Sequence, residues 1–397
     1  MDQKLILVAN AGSASRKYGL YKAGDCLAKI HFEHDKGKII YTLQVGDEPA
    51  KTEPAKINHL TFAASKVWEI LQSQNVIADK DQIKAVAVRV VAPSGYFQKD
   101  RILDAPAQQH LKALEVRAPI HINATLQEIH ALTAVFPQAK LVGISDSAFH
   151  KSMPDHARLY ALPSDLPASL EVRRFGYHGI SAEAVVGALR ANDKLPKRLV
   201  ICHLGSGVSV TAVLGNKSVN TTMGYSPLEG VMMGTRSGNV DITAMQVLQD
   251  ELNLSNAQLQ DLLNLRSGLL GVSRLSSDVR ELLARETDNK QAKLALKMFV
   301  GRIQQAIGQM AATLGGIDAL VFTGTIGERS GEIRKRIIGK LMFLGLTLDP
   351  KANHETKEAS GITRISPPHH PAAIYVISSD EDLLIAKKAA KLLSGSS

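Results

Sequence analysis

The sequence predicts an α/β protein that is built from two related domains. The chain has 397 residues, which is longer than one hydrophobic core usually organises. Short apolar runs alternate with helical patterns along most of its length, as in proteins whose strands are joined by helices. Two distant segments also have the same order of strand, small-residue turn and strand, which indicates an internal repeat.

The strands are predicted from apolar runs that are typical of strands buried on both faces. These runs lie at residues 84–91, 141–144, 199–202, 319–323 and 374–377. Helices are predicted where apolar residues recur at helical spacing, over residues 60–71 and 296–314. Gly315 and Gly316 should end the second helix, and Ser255 with Gln258 should form a capping box for another.

The repeated segments, residues 5–21 and 199–213, each predict a hairpin. Their turns, 10–15 and 203–207, contain glycine and serine, whose backbone N–H groups can converge on an anion without obstruction by side chains. Lys17 follows the first turn and would add a positive charge. One such turn alone is typical of an ordinary hairpin, but two turns in matching places favour a shared phosphate ligand.

The composition excludes several classes of protein. Hydrophobic residues make up 45% and charged residues 21%, as in a globular chain rather than a disordered one. No apolar run is long enough for a membrane helix, and residues 1–11 are interpreted as a first strand rather than a signal peptide. The net charge of +9 comes without a basic run, so we expect it to steer small anions rather than bind nucleic acid.

Cys26 and Cys202 cannot form a disulfide framework, so a cytoplasmic location is expected.

Charged residues lie at the ends of three predicted strands. Arg89 falls in an apolar run, where a charge is costly unless paired, so it belongs either to a structural salt bridge or to an anion site. Asp146 follows the strand 141–144, where it could cap a helix or hold Mg²⁺. Residues 380–382 could likewise reach a metal, and a helix cap formed by Ser379 with Asp382 is the alternative.

Three glycine-containing stretches complete the candidate chemistry. Residues 173–179 combine two arginines, two aromatic residues and His178, a density that favours function although a lone histidine is more often structural. Residues 223–238 contain four glycines and little periodicity, and Arg236 within them indicates an anion site. Residues 322–330 predict a strand, a glycine turn and a helix, an order common in nucleotide-binding sites.

Taken in order, these stretches resemble the acetate kinase family over essentially the whole chain. The most specific segments are 146–153, 226–238 and 267–273. The resemblance implies an α/β, two-domain sugar-kinase/Hsp70/actin (ribonuclease H-like) fold with the active cleft between duplicated domains. Residues 1–150, joined by a C-terminal helix at 382–397, would form the N-terminal domain, and residues 151–381 would form the nucleotide-binding domain.

The resemblance also implies a reaction and its partners. The chain would transfer the γ-phosphate of ATP to acetate by direct, reversible, in-line transfer, giving acetyl phosphate and ADP. Mg²⁺, with Mn²⁺ as an alternative, would be the cofactor, and ATP or ADP the co-substrate. The partners would be a small carboxylic acid, a nucleotide and a second copy of the chain in a homodimer, without nucleic acid or membrane.

Position by position, the resemblance assigns residues to four groups. The catalytic residues would be Arg89, His121, Asp146, His178 and Arg236. Those expected to bind nucleotide and phosphate are Asn10, Ser13, Ser15, Lys17, His203, Gly205, Ser206, Gly207, Thr325, Gly327 and Arg329. The acyl pocket would comprise Val91, Ile120, Tyr177 and Pro227, and the metal would be held by Asn10, Asp146 and Glu381. A carboxylate substrate is already ionised near neutral pH, so no strong general base is needed, and Asp146 is interpreted as an orienting and metal-binding group.

Some family positions are changed. The family's nucleotide stretch Gly-Ile-Gly-Glu-Asn is Thr325–Arg329 here, which adds bulk and a cation where adenosine would lie. The donor is therefore either ATP or a different phosphate partner, such as another nucleotide, pyrophosphate or orthophosphate. Tyr177 and Ile120 replace the usual Phe and Leu, which leaves propionate as an alternative acid. Besides a kinase that uses ATP and one that uses another phosphate partner, the third interpretation is a catalytically silent binding or regulatory homologue. The retained charged residues argue against it.

Overall fold

The computed structural model describes residues 4–12, 15–35, 37–357 and 361–395, apart from the side chains of residues 119–121. The chain divides into two compact units: the first is Met1–Ala148 with Asp380–Ser397, and the second is Phe149–Ser379. Each unit contains one sheet and helices that contact it. Among the described residues, no helix has the length and apolar character needed to cross a membrane.

The strands of both units are short and follow the chain in this order. They are β1 Leu5–Ala11, β2 Ser15–Lys22, β3 Asp25–Asp35, β4 Lys38–Val45, β5 Lys51–Pro54, β6 Ile83–Val90, β7 Arg101–Ile102, β8 Lys140–Ser145, β9 Arg198–Leu204, β10 Val208–Leu214, β11 Lys217–Thr221, β12 Ala319–Thr323, β13 Ile362–Arg364 and β14 Ala373–Ile377.

The helices range from single turns to one long helix, α10. They are α1 Ala63–Ser73, α2 Ala105–Ala113, α3 Pro119–Val135, α4 Asp155–Arg158, α5 Gly179–Ala191, α6 Ile242–Glu251, α7 Asn256–Leu265, α8 Gly268–Ser273, α9 Val279–Arg285, α10 Lys290–Leu314, α11 Gly324–Arg329, α12 Gly331–Ile338, α13 Pro350–Glu355 and α14 Glu381–Leu393.

The two sheets share one topology. The first has the strand order β5-β4-β3-β2-β1-β6-β8-β7, and the second has β11-β10-β9-β12-β14-β13. In each sheet an antiparallel hairpin, β1–β2 or β9–β10, continues into two parallel neighbours, β6 and β8 or β12 and β14. The cores β3-β2-β1-β6-β8 and β11-β10-β9-β12-β14 therefore correspond. This correspondence confirms the predicted internal repeat and the α/β fold.

The predicted apolar runs form the central strands of these sheets. Helices α3 and α14 both contact β6, and helices α5 and α10 both contact β9. Strands covered in this way need apolar residues at nearly every position, and β12 is buried along its whole length. The helices that cover these strands thus explain why the apolar runs of the sequence are continuous.

The helix predictions hold with two corrections. Helix α10 ends at Leu314 and is capped by Gly315, whose φ of 66° favours glycine, and the capping box of Ser255 is present. The helix predicted from residue 60 begins instead at Ala63, after a short 3₁₀ turn. Helix α14 begins at Glu381, so its cap is Asp380, which accepts from the Leu383 N–H, rather than Ser379, whose hydroxyl accepts a hydrogen bond from Ser181.

Candidate active site

A cluster of polar side chains gathers at the carboxyl edge of the first sheet. We call it the arginine–carboxylate network: Asn10, Arg89, Asp146, Glu381 and Asp382. Arg89 Nη2 lies 2.9 Å from Asp146 Oδ2, and Arg89 Nη1 lies 3.7 Å from Glu381 Oε2. Asn10 accepts a hydrogen bond from Arg89 at 3.2 Å and donates one to Asp382 at 3.0 Å. Because β1, β6 and β8 are neighbours, their ends bring together residues that are far apart in sequence.

Asn10 and Asp146 are buried, Arg89, Glu381 and Asp382 are half-buried, and the network has three carboxyl groups for one guanidinium. Asp146 is only 1% exposed. Burial alone would lower the pKa of Arg89, but Asp146 and Glu381 raise it above its ordinary value, so the guanidinium stays charged. Burial raises the pKa of Asp382, a hydrogen bond from Asn10 opposes the shift, and the charge of Glu381 adds to it. Three carboxyl groups thus share one guanidinium, an arrangement in which a bound cation would be stabilised.

The first of the two turns predicted to bind phosphate, residues 10–15, begins beside this network. Lys17 lies opposite Asn10 in the β1–β2 hairpin, with its side chain exposed. Its positive charge is close enough to Asp382 to oppose the rise that burial causes in the pKa of that carboxyl group. Ser13 lies outside the described residues, so its predicted contact with phosphate stays a prediction.

A buried ion pair supports the same turn. The Arg16 guanidinium donates to the backbone carbonyls of Gly12 and Ser15, and its Nε lies 3.3 Å from Glu128 Oε2. Glu128 also accepts a hydrogen bond from the Tyr18 hydroxyl at 2.6 Å. The turn is therefore connected to helix α3, which carries Glu128.

Three other site residues were predicted in the first unit, and the structure describes the side chain of only one of them. Val91 is half-buried and directly follows β6. Ile120 and His121 lie in the first turn of α3, but their side chains are outside the described part of the structure. Their roles stay predictions.

Two predicted histidines contact each other in the second unit, with their ring planes tilted by 33°. The rings of His178 and His203 are 4.1 Å apart between centroids. His178 Nδ1 lies 3.0 Å from Ser209 Oγ, and His203 Nδ1 lies 2.8 Å from Ser181 Oγ. Both imidazoles are therefore oriented through Nδ1.

The partners of Ser181 fix the direction of its hydrogen bonds. Ser181 donates to Ser379 Oγ at 3.1 Å, which uses its single hydroxyl proton. It must therefore accept from His203 Nδ1–H. The Nε2 atom of His203 lies near the second phosphate turn, 3.5 Å from the position that a Cβ on Gly205 would occupy.

His178 and Arg236 converge on residues 205–207, in the second of the two turns predicted to bind phosphate. A Cβ added to Gly207 would lie 3.0 Å from His178 Nε2 and 3.2 Å from Arg236 Nη1. These distances are tighter than ordinary contacts, so a side chain at this position would have to displace the imidazole or the guanidinium by a few tenths of an ångström. Gly205 N–H donates to the Gly207 carbonyl at 2.9 Å, and the Ser206 carbonyl accepts from another backbone N–H at 3.2 Å. An imidazole and a guanidinium thus face the turn predicted to bind phosphate.

The loop that carries Arg236 is held by the segment 267–270. Ser267, Leu269 and Leu270 donate backbone hydrogen bonds to residues 233–235 at 2.9–3.0 Å. Gly268 has a φ of +62°, and a Cβ there would lie 2.3 Å from the Met233 carbonyl oxygen. The family-like stretch 267–273 therefore acts as a support for Arg236.

Tyr177 is part of the same site but does not present its hydroxyl to solvent. The ring is 1% exposed, and the hydroxyl donates to the Tyr225 carbonyl at 2.8 Å. Pro227, two residues further on, is buried, and its carbonyl accepts from Arg236 Nη1 at 3.3 Å. The hydroxyl that distinguishes Tyr177 from Phe therefore anchors the Tyr225–Pro227 stretch.

The predicted nucleotide stretch forms the end of β12 and helix α11. Gly324 has a φ of +76° and packs against the Leu204 backbone, so glycine is required there. Thr325 has no such requirement and is exposed, as is Arg329, while Gly327 is buried. Neither Thr325 nor Arg329 therefore stands at a position where the backbone requires glycine.

Several supporting residues could not be foreseen from the sequence. Ser181, Ser209 and Ser379 orient the histidines, and Glu229 accepts hydrogen bonds within its own turn. Serine is common, so nothing in the pattern singles out these positions. Only the segment 226–230, through its similarity to the family, pointed to Glu229.

Comparisons with known proteins find related sequences along nearly the whole chain. The chain matches the model of the Acetokinase family over residues 5–387. Acetate kinase of Bacillus subtilis (strain 168) is 35% identical over 396 residues, covering 98% of this chain and 99% of that protein. Acetate kinase 1 of Lactococcus lactis subsp. lactis (strain IL1403) is 38% identical over 389 residues, covering 96% and 97%.

Solved structures give the same result. Acetate kinase of Porphyromonas gingivalis has a TM-score of 0.84 at 32% identity, covering 98% of this chain and 100% of that chain. A propionate kinase from Francisella tularensis subsp. tularensis SCHU S4 has a TM-score of 0.86 at 31% identity, covering 97% and 98%. Similar along nearly its whole length in both sequence and fold, the chain belongs to the acetokinase family.

Proposed function

We propose that this chain is an acetate kinase, which transfers the γ-phosphate of ATP to acetate and yields acetyl phosphate and ADP. The observation that carries this proposal is the convergence of His178 and Arg236 on Gly207. Transfer of a phosphoryl group needs in-line positioning and positive charge at the equatorial oxygens, with little covalent help from the protein. An imidazole and a guanidinium beside a glycine turn supply that charge.

The residues of the chain would divide the work as follows. In the forward reaction an acetate oxygen attacks the γ-phosphorus while the bond to the bridging oxygen of ADP breaks. Arg236 and His178 would stabilise the charge on the transferring group. Arg89 would bind the acyl carboxylate, with Asp146 holding the guanidinium at 2.9 Å. The lysine and backbone of the first turn would help to position the phosphates.

The arginine–carboxylate network would also hold Mg²⁺. Asn10, Asp146 and Glu381 supply carbonyl and carboxylate oxygens, the ligand type that this ion prefers. Among the described residues no group of three or more His, Cys, Asp and Glu forms a metal cage. Mg²⁺ bound with substrate phosphates needs only one or two carboxylates, so the available set fits. When bound, the ion would neutralise phosphate charge.

We expect replacement of Tyr177 with Phe to raise the KM for acetate about 3- to 10-fold with little change in kcat. The variant keeps the ring but removes the hydrogen bond to the Tyr225 carbonyl, and one neutral hydrogen bond is worth about 1 kcal/mol. The measurement is initial rate against acetate concentration at saturating ATP, repeated with propionate.

The matched control is Tyr41→Phe. This change removes a Tyr hydroxyl bonded to Glu53 at 2.6 Å in the first unit, away from the predicted acyl pocket. An equal change of KM in both variants would contradict a specific role for the Tyr177 hydroxyl. A pocket shared by Val91, Ile120, Tyr177 and Pro227 stays a prediction.

The phosphate donor is the open choice within this function. Thr325 and Arg329 lie where adenosine is expected and are both exposed. A base-independent donor such as pyrophosphate is therefore the second candidate. Propionate is the second candidate acid, because a propionate kinase is among the similar structures.

Hydroxylamine trapping tests the function directly. Purified protein would be incubated with Mg²⁺, acetate and hydroxylamine, with ATP, GTP and pyrophosphate in parallel and propionate in a second series. Acyl hydroxamate formed with ATP supports the proposal. Product formed only with pyrophosphate would make pyrophosphate, rather than ATP, the phosphate donor. No product with any donor or acid would favour a catalytically silent homologue.

We also infer that the partner is a second copy of this chain. Exposed apolar side chains in and beside α6 support this proposal, among them Ile242 at 75% and Leu252 at 57% exposure. Sedimentation equilibrium would give a mass of twice 42.8 kDa for the dimer. A mass of one chain at micromolar concentration would contradict it.

A further inference from the structure

The backbone of His178 has an uncommon conformation. Its φ of 58° and ψ of 26° lie in the left-handed region, and its side chain does not cap α5, which starts at the next residue. A non-glycine residue pays a conformational cost there and remains only if its surroundings hold it. The chain before His178 must therefore be fixed firmly.

A buried imidazole provides that support. His150 is 1% exposed, and its Nε2 lies 3.0 Å from the carbonyl oxygen of Tyr177, the residue before His178. A carbonyl can only accept, so Nε2 carries the proton. In the neutral ring Nδ1 then accepts from the hydroxyl of Ser218, at 2.8 Å. His150 thus connects β11 to the segment before His178.

The ring of His150 also fixes the segment by its shape. Gly176 has a φ of +77°, and a Cβ there would lie 2.7 Å from His150 Cγ and 2.8 Å from Thr221 Cγ2. The backbone therefore packs directly on the imidazole. On the same segment, the N–H groups of Phe175 and Gly176 donate to the Gly224 carbonyl at 3.0 and 3.2 Å.

We propose that His150 is a positioning residue, which holds the backbone of His178 so that Nε2 of His178 faces Gly207. The proposal rests on the proposed function, since it concerns the geometry of phosphoryl transfer. His150 itself does not touch substrate, because it is buried and both its ring nitrogens are used. Its effect reaches the reaction only through the position of His178.

Kinetics of variants test this role. His150→Phe keeps a ring of similar size but removes the donor to the Tyr177 carbonyl. We expect kcat to fall about 10- to 100-fold, the scale of a displacement near 1 Å, with the KM values for ATP and acetate within about 3-fold. His150→Gln, which restores an N–H donor, should recover part of kcat. If His150→Phe does not fold, kcat is compared instead for His150→Gln and Ser218→Ala, which are the milder substitutions.

The matched control is His370→Phe. Nδ1 of His370 lies 3.0 Å from the Gly345 carbonyl oxygen, so this histidine also contacts a backbone carbonyl but outside the candidate site. We expect its kcat to stay within about 2-fold of the parent. A kcat that is unchanged in folded His150→Phe, or lowered equally in both variants, would overturn the proposal.

A spectroscopic measurement separates this proposal from the proposed function. In protein labelled with ¹³C at histidine Cε1, the His178 signal is assigned by its loss in His178→Gln. That signal should move in His150→Phe and stay in place in His370→Phe, whether or not acyl phosphate is formed. An unmoved His178 signal in His150→Phe would reject the positioning role even if the enzyme is an acetate kinase.

Discussion

Replacing Arg236 with alanine should lower kcat by about a thousandfold or more, with a smaller change in the KM for ATP. Arg236 Nη1 and His178 Nε2 both lie near Gly207, where we expect charge to develop on the transferring phosphoryl group. Arginines in that role contribute about 10³ to 10⁵ in rate, because their interaction strengthens in the transition state. The measurement is kcat from the hydroxylamine assay at saturating substrates.

Two further variants decide what Arg236 contributes. Arg236→Lys keeps the charge but loses the planar donor fork, so its kcat should lie between those of the parent and the alanine variant. Arg198→Ala removes an arginine that pairs with Asp318 at 2.6 Å away from the candidate site, and its kcat should not change. An alanine variant at position 236 with kcat within tenfold of the parent would exclude the assigned role.

Replacing Arg334 with methionine should destabilise the protein by about 3 kcal/mol or more. Arg334 is fully buried and donates to the carbonyls of Gly327, Glu328, Asn353 and Thr356 at 2.7–2.8 Å. Burial lowers its pKa to about 10. Methionine fills similar space without donors, and buried carbonyls left unpaired cost about 1–3 kcal/mol each.

Chemical denaturation measures this effect as a shift in the unfolding midpoint at constant slope. Arg198→Met serves again as the control, and its half-exposed ion pair with Asp318 should matter far less. Two of the lost hydrogen bonds belong to α11, so the folded fraction of Arg334→Met should also bind its phosphate donor more weakly. Equal midpoints for the parent and Arg334→Met would refute the structural role.

The parts of the fold that depend on local pattern were predictable. The runs at 84–91 and 319–323 became central strands because a doubly covered strand must be apolar throughout. Arg89 and Asp146 were expected at strand ends, and parallel neighbouring strands bring such ends together. The salt-bridge and site interpretations of Arg89 are compatible, since its ion pair with Asp146 lies within the candidate site.

Contacts between distant segments were not predictable. The cap of α14 is Asp380, and Ser379 instead bonds to Ser181, a partner that no local rule indicates. The support that segment 267–270 gives to the Arg236 loop likewise depends on a φ of +62° at Gly268 and on close packing. The family resemblance located these stretches, but only the folded chain indicates what they do.

The matching strand order of the two sheets has a consequence for the origin of the site. Duplication of one ancestral unit would have produced two equivalent glycine turns, each at the same edge of its sheet. The copies have since specialised: one gathers carboxyl groups around Arg89, and the other gathers histidines and Arg236. We therefore expect a division of labour between two descendants of one scaffold, in which one copy attracts a cation and the other an anion.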